Sequence, residues 1–283
     1  MSDTDIRVRP AVGACGAEIS GIDLRRPLDN EAFATVHDAL LRHRLILFRD
    51  QDLGPDEMTA LASRFGPLDR HPYIQPIEGH PEVLRIVKEP GDRVNFGGGW
   101  HSEVSFYEKP AMGTMLYAVD VPETGGDTLV ADMVAAYAAL SPTMQGILEG
   151  LVAIHSAEHI YGSKAVFATE EAKQSTSLRF DASADAKVEH PLVRTHPETG
   201  EKILYVNPAF TVGIRGMKKR ESDALLQFLF AHQTATEYCT RIRWQPGTLA
   251  FWDNRSTQHY ALNDYAGHRR EMLRVVVAGD RPA

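Results

Sequence analysis

His101 and Glu103 stand two residues apart in Trp100-His101-Ser102-Glu103-Val104-Ser105-Phe106. An imidazole and a carboxylate are two of the three ligands of a 2-His-1-carboxylate facial triad. That set holds ferrous iron on one face and leaves the opposite positions open. In an extended strand, alternate side chains share a face, so a strand here would project both groups the same way. The spacing alone is weak, and the plainer alternative is the wet face of a half-buried strand. The metal reading needs a third ligand, distant in sequence and near in space. His259, at the end of Trp252-Asp253-Asn254-Arg255-Ser256-Thr257-Gln258-His259, is the candidate, with Arg270 and Arg274 beyond it.

The elements that must bring these groups together are short strands and a few helices. Ile6-Arg7-Val8 and Ala17-Glu18-Ile19 alternate around glycines, and Leu45–Phe48 is a short apolar run. Phe33, Val36, Leu40 and Leu41 recur at helical spacing, predicting a helix over 31–43. A second helix starts at Pro55 and runs to the Phe65-Gly66-Pro67 stop. Asp132 and Ser141-Pro142 start two further helices, and 219–232 is amphipathic. Strands are expected at 83–87, 114–119, 128–130, 240–244, 248–252 and 272–278, and a hairpin turns at His196-Pro197-Glu198-Thr199-Gly200. Asn95-Phe96-Gly97-Gly98-Gly99 is a lid candidate or a plain connector, and 156–190 is a polar excursion over the mouth of the site. Many short strands with turn punctuation predict a mainly β sandwich or barrel with flanking helices, as a single domain over 1–283.

Composition narrows the function. The chain has 283 residues, 43% hydrophobic and 24% charged, ordinary for a soluble globular protein. Its net charge of −8 comes without a basic tail, against a nucleic-acid partner. Cys15 and Cys239 are the two cysteines, too few for a disulfide framework or a zinc finger. No signal peptide or apolar run of membrane-spanning length is visible, so the expected setting is the cytoplasm, away from membranes.

The segments WHSEVSF, PETGGDTL, AYAALSP, HPLVRTHPETG, LYVN, ESDALLQFLFAH, WDNRSTQHYALNDY and RREMLR, in this order, closely resemble the TauD/TfdA family. The likeness runs from about Val12 to Pro282. It implies a double-stranded β-helix (jelly-roll, cupin-like) core and a dioxygenase using Fe(II), 2-oxoglutarate and O2, and a homo-oligomer is expected. By resemblance His101, Glu103 and His259 bind iron, Thr128 and Arg270 hold the distal carboxylate of 2-oxoglutarate, and Arg274 faces a substrate anion. His71 and the Val104 N–H fall where the taurine enzyme binds a sulfonate. The carboxylate ligand is Glu103, where the taurine and herbicide members mostly carry Asp. Gly97–Gly99 replace polar residues that help bind the substrate amine in the taurine enzyme, with Asn95 near but out of register.

The residue types suit these tasks. A guanidinium forks onto two carboxylate oxygens, and a threonine hydroxyl adds a donor. On one strand Arg270 and Arg274 would share a face, about 13 Å apart at ~3.3 Å per residue, so each could serve a different anion; a surface salt bridge is the alternative for either. A protonated His71 could pair with an anion. Tyr73, Phe106, Phe210 and Trp252 line an apolar pocket or simply fill the core, and His155, His159, His190, His196 and His232 are expected to be structural. The leading function is hydroxylation of a small anionic substrate at carbon next to a sulfonate, sulfate ester or ether-linked carboxylate, with release of succinate and CO2. The rivals are a biosynthetic hydroxylase or desaturase of the same fold acting on a larger metabolite, and a metal-free β-sandwich binding module.

Overall fold

The computed structural model describes residues 6–11, 13–71, 73–93, 95–162, 164–165 and 180–283. One face of the molecule is a seven-stranded sheet. It is built from β1 (Arg7–Pro10), β2 (Ala17–Ser20), β3 (Leu45–Phe48), β4 (Val83–Lys88), β5 (Gly113–Asp120), β13 (Leu249–Asp253) and β15 (Arg270–Val277), in the order β1-β2-β3-β13-β5-β15-β4. Only the β2–β3 ladder is parallel in that sheet, because α1 (Asn30–His43) carries the chain across between them. The facing layer holds two three-stranded sheets. In one, β6 (Thr128–Asp132) lies between β12 (Cys239–Ile242) and β14 (Thr257–Ala261). In the other, β7 (Val152–Ser156) lies between β8 (Lys187–Pro191) and β11 (Thr211–Ile214). The hairpin of β9 (Val193–Thr195) and β10 (Lys202–Leu204) turns at the expected residues. The result is the mainly β jelly-roll arrangement with flanking helices.

The central strands of the large sheet are buried on both faces, and their side chains sort by period two. Ile46, Phe48, Met115, Tyr117, Leu249, Phe251, Leu273, Val275 and Val277 pack outward under α1 and α2 (Pro55–Ala62). Their neighbours Leu45, Leu47, Leu116, Ala118, Ala250, Trp252 and Met272 point inward and meet Val130, Ile242 and Trp244 of the facing layer. A strand buried on both sides reads as a continuous apolar run, which is why 45–48 and 249–252 lack a polar face. The facing layer is backed by α3 (Met133–Ala138), α4 (Pro142–Leu148) and α5 (Lys219–Gln233). Asp29, Asp132 and Ser141 cap their helices by accepting backbone N–H bonds.

Two expectations fail locally. The second helix ends at Ala62, short of Phe65, because Arg64 and Phe65 donate to carbonyls three residues back and tighten the last turn. The strand expected over Trp100–Phe106 does not form: His101 makes an isolated bridge to His259, and 103–106 turn away. Of the excursion 156–190, residues 163 and 166–179 lie outside the described residues. The remainder holds a short 3-10 turn at Ala182–Asp185 and strand β8.

Candidate active site

β14 runs antiparallel to β6 and carries His259 opposite Val130. The single bridge then matters: His101 N–H donates to His259 O at 3.1 Å, and His259 N–H returns to His101 O at 2.9 Å. Directly paired residues put their side chains on one side, and the two imidazole centroids are 4.1 Å apart. Glu103 follows in the turn. One ligand atom from each of His101, Glu103 and His259 lies within 4.8 Å of the others, and all three side chains are buried. His101 Nδ1 is 2.7 Å from Gly99 O. A proton on Nδ1 donates there and leaves the Nε2 lone pair for a metal. Burial pushes the His101 imidazole down and His259 well below its usual range. Neutral imidazoles are what a metal ion requires. Val104, after the carboxylate, has φ 44, a left-handed conformation rare for a β-branched residue and worth roughly 1–3 kcal/mol of strain.

A second corner lies where β15 begins. Arg270 is buried, and its Nε and Nη2 have no hydrogen-bond partner among the described residues. The guanidinium sits 5.9 Å from the Trp244 ring centroid, and Trp244 Nε1 donates to Thr128 Oγ1 at 3.0 Å. That bond leaves the Thr128 hydroxyl proton free to donate. The Gly125-Gly126 turn closes over this corner. A Cβ on Gly126 would come within 3.2 Å of Arg270 Cδ, and φ at Gly126 is +68. Buried, unpaired guanidinium N–H groups are costly unless an anion completes them. A carboxylate fits.

Arg274 lies on the same face of β15 as Arg270, four residues along, as expected from the strand period. Its Nη2 is 3.3 Å from Glu103 Oε1, while its Nε and Nη1 are buried and unpaired among the described residues. His71 is close enough for Arg274 to act on it. Burial first, and then Arg274, push the His71 imidazole well below its usual range, so it is neutral and not the protonated partner expected. Tyr73 N–H donates to His71 Nδ1 at 3.2 Å, which places the proton on Nε2. That Nε2 is buried and has no hydrogen-bond partner among the described residues. Tyr73, Val104, Phe106, Tyr161 and Phe210 form one apolar cluster beside these donors. The Tyr73 and Tyr161 rings stack at 5.0 Å.

Asn95 is the exception. Its Nδ2 donates to Ala261 O and Leu262 O, and its Oδ1 accepts from the Tyr265 hydroxyl. The amide is consumed in tying the glycine loop to β14, helped by Ala261 N–H on Gly97 O. It is a brace, not a free substrate contact. Trp252 belongs to the interior cluster, and its ring packs against His259 with centroids 4.7 Å apart.

Two features escaped the sequence reading. Tyr161 enters from the polar excursion, where no periodicity marked it. Asp253, in the segment chosen for its histidine, is the centre of a buried network. Arg255 bonds it through Nε at 2.9 Å and Nη2 at 2.7 Å, and His196 Nε2 lies 3.0 Å from it. Arg255 Nη1 reaches on to Glu198 at 2.6 Å. Burial alone would raise the Asp253 carboxyl, but Arg255 and His196 override it and hold the group well below the usual carboxylate range. The signal was present in the Asp-x-Arg spacing and the His-Pro-Glu turn, but pairing them needs the fold.

Three candidate ligands, two buried arginines and a jelly roll narrow the possibilities, and comparison with known proteins decides among them. The profile of the taurine catabolism dioxygenase TauD, TfdA family matches residues 7–276. The chain belongs to the TauD/TfdA family. It is 36% identical to the alkylsulfatase of Acinetobacter baylyi over 276 residues, covering 97% of this chain and 86% of that protein. It is 35% identical to an alpha-ketoglutarate-dependent sulfate ester dioxygenase of Pseudomonas putida, covering 98% and 91%. The crystal structure of a taurine dioxygenase from Burkholderia xenovorans superposes with a TM-score of 0.82 at 36% identity, covering 98% and 91%. As a member of this family the protein is an oxidoreductase that uses Fe(II), 2-oxoglutarate and O2. The geometry fits that set: neutral imidazoles and a carboxylate for the iron, and unpaired Arg270 donors for the diacid.

Proposed function

We propose that this TauD/TfdA enzyme hydroxylates the carbon bearing the oxygen of an alkyl sulfate ester. The observation that carries the substrate reading is Arg274: a buried guanidinium with Nε and Nη1 unpaired, next to the unpaired His71 Nε2 and an aromatic wall. Glu103 meets only Nη2 of this guanidinium, and buried N–H donors left over on Nε and Nη1 are costly, so an anion is the ligand that this corner lacks. The wall of Tyr73, Phe106, Tyr161 and Phe210 suits an apolar chain. The amide of Asn95 is already spent, which argues against taurine. The named activities of the Acinetobacter and Pseudomonas relatives support the same class.

In this reading His101, Glu103 and His259 hold the iron, and Arg270 with Thr128 seats the distal carboxylate of 2-oxoglutarate. When bound, iron with 2-oxoglutarate supplies the oxygen activation that converts C–H to C–OH while the oxo acid becomes succinate and CO2. Arg274, the neutral His71 Nε2–H and the Val104 N–H orient the sulfate, and the aromatic wall excludes water and points one C–H at the metal. The product R–CH(OH)–O–SO3⁻ then breaks its carbon–oxygen bond to sulfate. The hydroxyl loses its proton, and an aldehyde leaves. The whole of 1–283 acts as one catalytic domain, in the cytoplasm, where Fe(II) and 2-oxoglutarate are supplied, and as a homo-oligomer.

The test is succinate release across butyl to dodecyl sulfate, taurine and aryloxyalkanoates. The alkyl sulfates should give the highest rates, with sulfate released in equal amount to succinate. Faster turnover of taurine or an aryloxyalkanoate would reject the sulfate-ester reading. Anaerobic Fe(II) with 2-oxoglutarate should also give a weak visible charge-transfer band, and its absence would reject the chelate itself.

A further inference from the structure

Ser105 is fully buried and fastened from three directions. Asn207 Nδ2 donates to its Oγ at 2.9 Å, the Oγ lies 3.2 Å from His155 Nδ1, and its carbonyl oxygen is 3.1 Å from His190 Nε2. Because Asn207 already donates to the Oγ, the Ser105 hydroxyl proton is free to donate to His155. Burial pushes His155 down to about 3, so its Nδ1 is a neutral acceptor. The histidines come from β7 and β8, and Asn207 from the loop after β10. Among the described residues no hydrogen bond or ring contact joins any of the three to the ligand triad.

On the other side of the turn, Ser102 Oγ donates to Asn254 O at 2.7 Å, and His101 is paired with His259. Between these two pins sit Glu103 and Val104, and Val104 carries the positive φ of 44. A valine rarely rests in that region unless its surroundings over-determine it. Tyr107 N–H on Val104 O closes the turn without fixing φ.

We propose that Ser105, clamped by Asn207, His155 and His190, is a positioning residue that holds the strained Val104 turn and so sets the Glu103 carboxylate against the two histidines. Without the clamp, Val104 relaxes toward an ordinary extended conformation and the carboxylate swings off the site. This rests on the iron-binding reading of the triad. It adds to that reading a cause for the Glu103 geometry that lies in the β7–β8 sheet, outside the ligand set.

The experiment is Mn(II) binding followed by electron paramagnetic resonance, which needs no turnover. Ser105→Ala should weaken Mn(II) binding about ten- to a hundredfold, the usual effect of losing an outer partner of a ligand. Ser105→Thr, which keeps the hydroxyl, should restore most of it. Glycine adopts positive φ without strain, so in a Val104→Gly background the same Ser105→Ala change should alter binding less than about twofold. A merely structural serine would cost the same in both backgrounds, and that result overturns the proposal. So does a folded Ser105→Ala with wild-type Mn(II) binding. His155→Phe removes one arm of the clamp at similar volume. If Ser105→Ala fails to fold, His155→Phe must show the same loss cancelled by Val104→Gly, or the proposal is wrong. Wild-type protein that binds no Mn(II) would overturn the iron reading itself, an outcome distinct from an unchanged variant.

Discussion

Arg270 and Arg274 show at the scale of one residue what a buried guanidinium offers an anion. Each is buried on the inner face of β15 and offers unpaired N–H groups. Arg270→Lys keeps the charge and loses the fork, so the KM for 2-oxoglutarate should rise roughly 10- to 100-fold, the worth of one charge-assisted bond. Succinate release against 2-oxoglutarate concentration measures it. Glu103 reaches Arg274 as well as the histidines, a contact that the extra methylene makes possible. Glu103→Asp should weaken Mn(II) binding and, by breaking the buried contact to Arg274, lower the metal-free melting temperature as well. A titration beside a thermal melt checks both halves. The residue types were readable from the chain alone. The neutral state of His71 was not, since it follows from burial and the nearby Arg274.

The elements show which motifs act through structure. The turn after β13 is held by Asp253, and the bonds from Arg255 and His196 tie it to the β9–β10 hairpin. That turn launches β14 and hence His259. Arg255→Met leaves the buried carboxylate with His196 and the residue-255 backbone N–H but no guanidinium, and breaking a buried pair in this way costs about 3–5 kcal/mol. The melting temperature should fall on the order of 10 °C, and Mn(II) binding should weaken with it. Calorimetry with and without metal would show both. An unchanged melt would mean that the network is replaceable. Most strands and caps were legible because alternation, Pro at helix starts and Asp or Ser caps are local signals. The 100–106 segment was misread because its alternation is real, while its shape is imposed by Asn254, Asn207 and two buried histidines from other strands.

The whole molecule stores an acid sensitivity. His71, His101, His155, His190 and His259 are all pushed down by burial, so each is neutral when folded and free to charge when unfolded. Below the unfolded value near 6.5 the unfolded chain takes up more protons. Stability from these groups is therefore complete above about pH 6.5 and is lost as pH falls, at up to ~1.4 kcal/mol per pH unit for each group. Asp69 and Asp132, raised by burial, act in the opposite sense at lower pH. The metal-free melting temperature should drop clearly between pH 7 and pH 5, more steeply than in a His155→Phe variant. A flat profile over that range would contradict the buried neutral histidines. No helix among the described residues is long and apolar enough to cross a membrane.

The chain by itself determined the candidate ligand types, the arginine pair, the strand and helix periods and the family, because each is written in residue identity and short-range spacing. Only the tertiary structure decided that His101 pairs with His259 across a single bridge, that the carboxylate sits on a strained turn, and that Asp253 and Ser105 brace the site from behind. Those facts depend on which distant segments meet. Burial and hydrogen-bond partners belong to the folded contact set, and no local pattern encodes them.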